Sequence, residues 1–183
     1  MTTVFKNQLQ NNISPALAVT TVTPSSPTTG SVTLSFATQT STPFPIGTYI
    51  NVSGVSVSGY NGTFTVTGAT ASSVTFANAT TGAATGGTIT TVLWISNASA
   101  KTTVIGLSLT NTTINVVLVS VQLQDTIANT SAYYANNVVV PASQSLRLVS
   151  AGEKLILGPS TNVLVSTNTS AAIDGILSFV EIS

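Results

Sequence analysis

Four side chains in this sequence have the chemistry of general acids, general bases or hard metal ligands: Asp125, Glu153, Asp174 and Glu181. Glycoside hydrolysis needs two carboxyl groups flanking one bond. A calcium site needs several oxygens gathered in one place. Nothing in the spacing makes any two of these residues converge. Glu153 adjoins Lys154 in a glycine turn, which reads as a solvated surface pair. Asp125 falls in a polar loop, Asp174-Gly175 reads as the turn before the last strand, and Glu181 stands at the far end of that strand. The sequence contains no His and no Cys, which removes the commonest general base and the thiolate nucleophile. No Ser lies in a Gly-x-Ser-x-Gly elbow. The Gly82–Gly87 run lacks the Lys of a phosphate loop and sits between strands rather than before a helix. The expectation is no catalytic residue, no cofactor and no metal site.

Four aromatic residues are the remaining candidates for contact with a ligand or a subunit: Tyr60, Trp94, Tyr133 and Tyr134. Each could stack on a sugar. Such residues are more often core or subunit-interface residues. Lys6, Lys101, Arg147 and Lys154 are the only cations, too few to neutralise a run of phosphates, so nucleic acid is not an expected partner.

The elements that must position these residues are strands. Thr, Ser, Val, Asn and Gly dominate, and no stretch has the periodicity of an amphipathic helix. Thr and Val favour strands; Gly and Asn favour turns. The charge content is the anomaly. Globular domains carry roughly 25% charged residues; this chain carries 4%, with none between Lys6 and Lys101. Net charge is zero, and no apolar run is long enough for a membrane helix. Little repulsion would keep free copies apart, so much of the surface is expected to lie against partners. The plain alternative is a monomer kept in solution by its Thr and Ser hydroxyls. The first residues, Met1-Thr2-Thr3-Val4-Phe5-Lys6, lack the apolar region of a signal peptide, which makes the cytoplasm the expected place of synthesis and assembly.

Along the chain, strands are expected near Val4–Leu9 and Ala16–Val22, followed by a linker at Pro24–Gly30. From Ser31 to Thr91 apolar residues alternate with hydroxyls, as in Val32, Leu34 and Phe36, and turn signals intervene. About five short strands are expected there, with Asn61-Gly62 as a tight hairpin turn. The expected core of this segment is Val32, Leu34, Phe36, Ile46, Ile50, Val52, Phe64, Val66, Val74, Phe76 and Ile89, a thin one. Beyond it, strands are expected at Thr103–Thr110, Asn115–Gln124 and Gly175–Ile182, the last apolar on both sides and therefore an inner strand. Four short apolar runs between Val138 and Val165, separated by Pro and Gly, read as antiparallel strands around which the rest should pack. The fold class is all-β: a jelly-roll-like antiparallel β-sandwich as host, residues 1–22 and 93–183, with an inserted small β-barrel or sandwich module, residues 23–92. Two consecutive domains with a tail is the simpler alternative.

Several segments resemble a known group. Thr3-Val4-Phe5-Lys6-Asn7, Thr103-Val104-Ile105-Gly106-Leu107-Ser108-Leu109-Thr110-Asn111-Thr112, Val140-Pro141, Ser145-Leu146, Gly152-Glu153-Lys154-Leu155 and Ile176-Leu177-Ser178-Phe179-Val180-Glu181-Ile182 together form a frame. It is similar to that of small virion structural proteins of tailed bacteriophages, cyanophages in particular. The segments Ile50-Asn51-Val52-Ser53-Gly54 and Gly59-Tyr60-Asn61-Gly62-Thr63-Phe64-Thr65-Val66 resemble a small β-module of phage and bacterial surface proteins. The resemblance implies a non-enzymatic, homo-oligomeric decoration, connector or fibre-base subunit. Its partners would be copies of itself and other virion proteins such as the major capsid protein; from the scarcity of Lys at strand edges, those copies are expected to pair edges and apolar faces about a threefold or higher axis. Neither nucleic acid nor membrane is implied, and the place of work is the virion, assembled in the host cytoplasm.

Overall fold

A computed structural model describes residues 2–24, 30–95, 97, 99–128, 130–150 and 152–182. The linker expected at Pro24–Gly30 falls, for residues 25–29, outside them. The fold is all-β. In chain order the strands are β1 (Thr3–Ile13), β2 (Leu17–Thr23), β3 (Ser31–Phe36), β4 (Tyr49–Ser53), β5 (Gly62–Ala69), β6 (Ser73–Ala77) and β7 (Thr88–Trp94). Then follow β8 (Lys101–Asn111), β9 (Val117–Asp125), β10 (Thr130–Val140), β11 (Ser145–Val149), β12 (Leu155–Leu157), β13 (Thr161–Thr167) and β14 (Ile173–Ile182). The only helix described is the 3₁₀ turn Ser58–Tyr60, so no described helix is long and apolar enough to cross a membrane.

Two antiparallel sheets result. The first runs β1-β14-β8-β11, with β12 taking the part of the β8 edge that β11 leaves free. The second runs β10-β9-β13-β7 and then continues through β2, β3, β6, β5 and β4. Because β4 also pairs with β7, the last six strands close into a barrel. β7 belongs to both parts. One of its edges pairs with β4 from Thr88 to Val92; its other edge pairs first with β2 at Thr88 and Ile89, then with β13 at Thr91, Val92 and Trp94. At that fork the Thr91 hydroxyl is buried and makes no hydrogen bond among the described residues.

Period-two patterning explains the packing. Val32, Leu34, Phe36, Val66, Val74, Phe76 and Ile89 point into the barrel, where Phe76 stacks on Phe64 at 4.3 Å. Between them Thr33 faces Thr75 across β3 and β6, and their hydroxyls hydrogen-bond at 2.8 Å. A separate cluster joins the inner residues of the first sheet, such as Leu107, Leu109, Leu177 and Phe179, to Val119, Val121, Val163 and Val165 of the second. Trp94 packs edge-on against Phe179.

Several expectations need correction. The strand expected near Ala16–Val22 does not pack with the host. Its Leu17, Val19 and Val22 enter the barrel core, because β2 supplies the strand that joins β7 to β3. The packing therefore changes hands between Ile13 and Leu17, not at residue 22. The barrel core is also thicker than expected, since Phe44, Val55 and Tyr60 join it; Ile46 stands in solvent and Phe64 is only half-buried. Asn61-Gly62 is not a two-residue hairpin turn. β4 and β5 pair from Val52↔Gly62, so the connection spans residues 54–61. Asn61 has an extended backbone (φ −86°) and acts through its side chain, accepting from the Val55 N–H at 2.8 Å and donating to the Val55 carbonyl at 2.9 Å. The Val138–Val165 runs form no single unit: they end β10, make β11 and β12, and lie in β13, divided between the two sheets. β14 lies between β1 and β8, the inner position its apolar sequence suggested.

Candidate functional site

The carboxylates are engaged one by one. The Asp125 carboxylate accepts the backbone N–H groups of Ile127 and Ala128 and shapes the turn after β9. Asp174 accepts the N–H of Asn12 at 3.1 Å. Glu181 is paired with Lys6 at 2.6 Å. Glu153 is exposed in the turn after β11. Among the described residues no three His, Cys, Asp or Glu side chains gather as a metal site would require.

The aromatic candidates separate into two kinds. Tyr60 is wholly buried, and its hydroxyl donates to the carbonyls of Gly82 (2.8 Å) and Thr80 (3.2 Å). Trp94 is buried against Phe179. Neither ring is available to a glycan or to another subunit: the 3₁₀ turn carries Tyr60 inward and β7 carries Trp94 inward, where their area adds to a core. Tyr133 and Tyr134 stand exposed on β10. The Tyr134 hydroxyl donates to the Leu148 carbonyl at 3.2 Å and so ties β10 to β11 across the two sheets. Tyr133 is the most exposed of the four, and the structure does not bring the four together.

Two features that the sequence reading did not single out remain. The first is a polar clasp between barrel and host. Asn51 and Thr63 face each other across β4 and β5; Gln124 and Asn162 face each other across β9 and β13. The Asn51 amide donates to the Gln124 carbonyl oxygen, and the Asn162 amide donates to the Thr63 hydroxyl, both at 3.0 Å. Beside the clasp opens a cleft of about 700 Å³ lined by neutral groups, among them Ser53, Asn61, Thr126 and Ser160. The signal was there: Asn disfavours strands, so an Asn between Ile50 and Val52, or between Thr161 and Val163, needs a partner to hold it.

The second is the outer face of the first sheet. Its residues alternate with the buried ones, and cross-strand pairing sets them in rows. Phe5, Val180, Thr103 and Ile156 form one row across β1, β14, β8 and β12. Leu9, Ile176, Ser108 and Arg147 form another. Phe5 is 74% exposed, Ile156 71% and Leu9 66%; Ile105 and Ile176 are exposed as well. Between the rows Gly106 and Ser178 leave a shallow groove of about 360 Å³. Scattered apolar residues on a surface need no explanation, but rows of them on one open sheet face do.

The β1 edge completes this surface. Thr2 to Asn7 are all exposed, and among the described residues β1 pairs only with β14. Along this edge no Pro interrupts the strand, and its register stays regular from Thr3 to Gln10. The opposite margin of the molecule differs. β10 is interrupted twice by bulges, with Asn137 at a positive φ of 50°, whereas the one irregularity of β1, with Asn12 at a φ of 55°, lies beyond Gln10. Compared with protein-family models, curated proteins and solved structures, the chain matches none.

Proposed function

We propose that this chain is a non-enzymatic structural subunit of a tailed-phage virion, an oligomeric capsid decoration (cement) protein. The observation that carries the reading is the outer face of the first sheet together with its bare β1 edge. Exposed Phe5, Leu9, Ile105, Ile156 and Ile176 beside a strand with an open outer edge are costly for a molecule that lives alone. The same surface suits docking on copies and on a larger shell. The scarcity of charge supports it, since lattice neighbours take the place of electrostatic repulsion as the means of orderly spacing. A tail, neck or baseplate component that anchors a fibre is the alternative address for the same surface. Size-exclusion chromatography with light scattering tests the reading, together with labelling of purified particles. Oligomers in solution and regular labelling of the head are expected. A well-behaved monomer at micromolar concentration that is absent from particles would refute it.

One observation favours a second reading, a carbohydrate-binding surface module. The cleft beside the clasp is lined by amides and hydroxyls without a charge, the chemistry that meets a neutral polyol. Tyr133 is the most exposed of the four aromatic candidates. Specific binding on a glycan array, lost in Asn51→Ala or Tyr133→Ala, would favour this module over the building block.

A further inference from the structure

We propose that two copies of this chain pair through their β1 strands, antiparallel about a twofold axis centred on Asn7, so that two five-stranded sheets become one of ten. The inference deepens the structural-subunit reading and rests on it for purpose, but its geometry stands on β1 alone.

An edge strand holds a row of backbone N–H and C=O groups facing away from its neighbour, and another strand satisfies them best. Natural edges are guarded by Pro, bulges or Lys. From Thr3 to Gln10 the register of β1 is unbroken, and its one charged residue, Lys6, is held by Glu181 at 2.6 Å. The occupant must therefore be an extended strand, and the pattern of β1 selects its own copy.

In an antiparallel pair, opposed residues share a face of the sheet. Phe5, Asn7 and Leu9 lie on the outer face, in register with Val180, Ser178 and Ile176. A twofold through Asn7 sets Phe5 against Leu9 of the second copy, and Leu9 against Phe5. These exposed side chains then cover one another on both sides of the axis. Asn7 meets Asn7, whose amides can donate and accept reciprocally. Lys6 meets Gln8, and Val4 meets Gln10, so no charge opposes its like. Centring the pair on Lys6 instead would oppose two ammonium groups and leave Phe5 against Asn7. Centring it on Gln8 would carry Phe5 opposite Asn11, into the bulge between Gln10 and Ile13. Among registers that keep the faces matched, the Asn7 centre is the one that pairs both apolar residues.

The absence of native cysteine makes the test direct. Opposed residues of an antiparallel pair have Cβ atoms about 4.5–5.5 Å apart, close to disulfide reach. The full chain carrying Asn7→Cys should form a disulfide-linked dimer in a glutathione buffer at micromolar concentration, well ahead of Tyr133→Cys on the exposed face of β10. The doubly substituted Phe5→Lys/Leu9→Lys chain should dimerise at least about tenfold more weakly by light scattering, because it restores the guard that edges carry. Both residues are exposed, so its unfolding midpoint when monomeric reports whether the fold is intact. If oligomers persist undiminished in that variant and Asn7→Cys crosslinks no faster than Tyr133→Cys, the β1 pairing is overturned, while association through another surface survives. If the native chain is monomeric at tens of micromolar, the β1 pairing is overturned and the structural-subunit reading loses its support as well.

Discussion

The barrel and the two-sheet host solve the same problem in opposite ways. A strand at the edge of a sheet offers unpaired backbone groups to any passing chain. The barrel removes its edges by closing β4 onto β7, and no residue from β2 through Val92 carries a charge. The host leaves its sheets open, and all eight charged residues of the chain lie outside the barrel strands β2–β7. Even so, its margins are treated unequally: β10 is bulged twice along its length and tied to β11 through Tyr134, whereas β1 is regular and open from Thr3 to Gln10 and bulges only beyond it. Closure makes charge unnecessary. Where closure is lacking and charge is lacking too, a partner is the remaining way to cover an edge.

The contrast predicts different weak points. The largest effect is expected in the host at Asn111, which is buried and joins the end of β8 to the ends of β9 and β10. Its amide donates to the carbonyls of Asn115, Val140 and Pro141, and its oxygen accepts from the Thr113 N–H and hydroxyl. Asn111→Leu strands these groups, each costing about 1–3 kcal/mol when unsatisfied, so a loss of about 3 kcal/mol or more is expected in urea unfolding. A loss under about 1 kcal/mol would mean that the open half does not depend on this network.

Closure of the barrel should be the next most sensitive feature. Gly87 has a φ of +103°, and a Cβ there would drive into the Val55 side chain and press on the Ser53 carbonyl. Gly87→Ala should cost about 2–3 kcal/mol through strain and displacement of the β4–β5 connection. Gly175 in the host is the control. There the nearest atoms to an added methyl are the ends of the buried Ile13, Leu93 and Leu109 side chains, at 3.0–3.3 Å, and no backbone atom is among them. Thermal unfolding that ranked Gly175→Ala as the worse of the two would reverse the comparison. The smallest effect concerns the junction. A double-mutant cycle on Asn51→Ala and Gln124→Ala should return a coupling of about 1 kcal/mol, the net worth of one hydrogen bond. A coupling near zero would show that the Asn51–Gln124 bond adds nothing to the hold that β7 and the Asn162–Thr63 bond have on the barrel.

Much of the barrel was legible because period two is a strong signal in short, well-separated strands. Val32, Leu34 and Phe36 declare one face at a glance. The placement of β2 was not legible. Leu17 and Val19 alternate, Val22 follows past a register shift, and that pattern suits either core; only the place of β2 between β7 and β3 decides between them. Asn61-Gly62 misled for a related reason: the dipeptide favours a tight turn, but a side chain that copies a backbone ladder leaves the same letters in the sequence. Tyr60 and Trp94 looked like contact residues because an aromatic beside Gly or in a strand is compatible with either face. The surface rows of the first sheet depend on the register of five strands distant in sequence, which no local pattern contains.

β7 is a ladder strand of the host and a stave of the barrel over the same few residues, with Thr91 and Val92 paired to a strand on both sides. The consequence is mechanical. A barrel hung on a flexible linker would swing; one that shares a stave with its base is a bracket. Whatever the far rim of the barrel touches is held at a fixed angle to the host, and a sideways load on that rim is carried as shear along the β7–β13 seam.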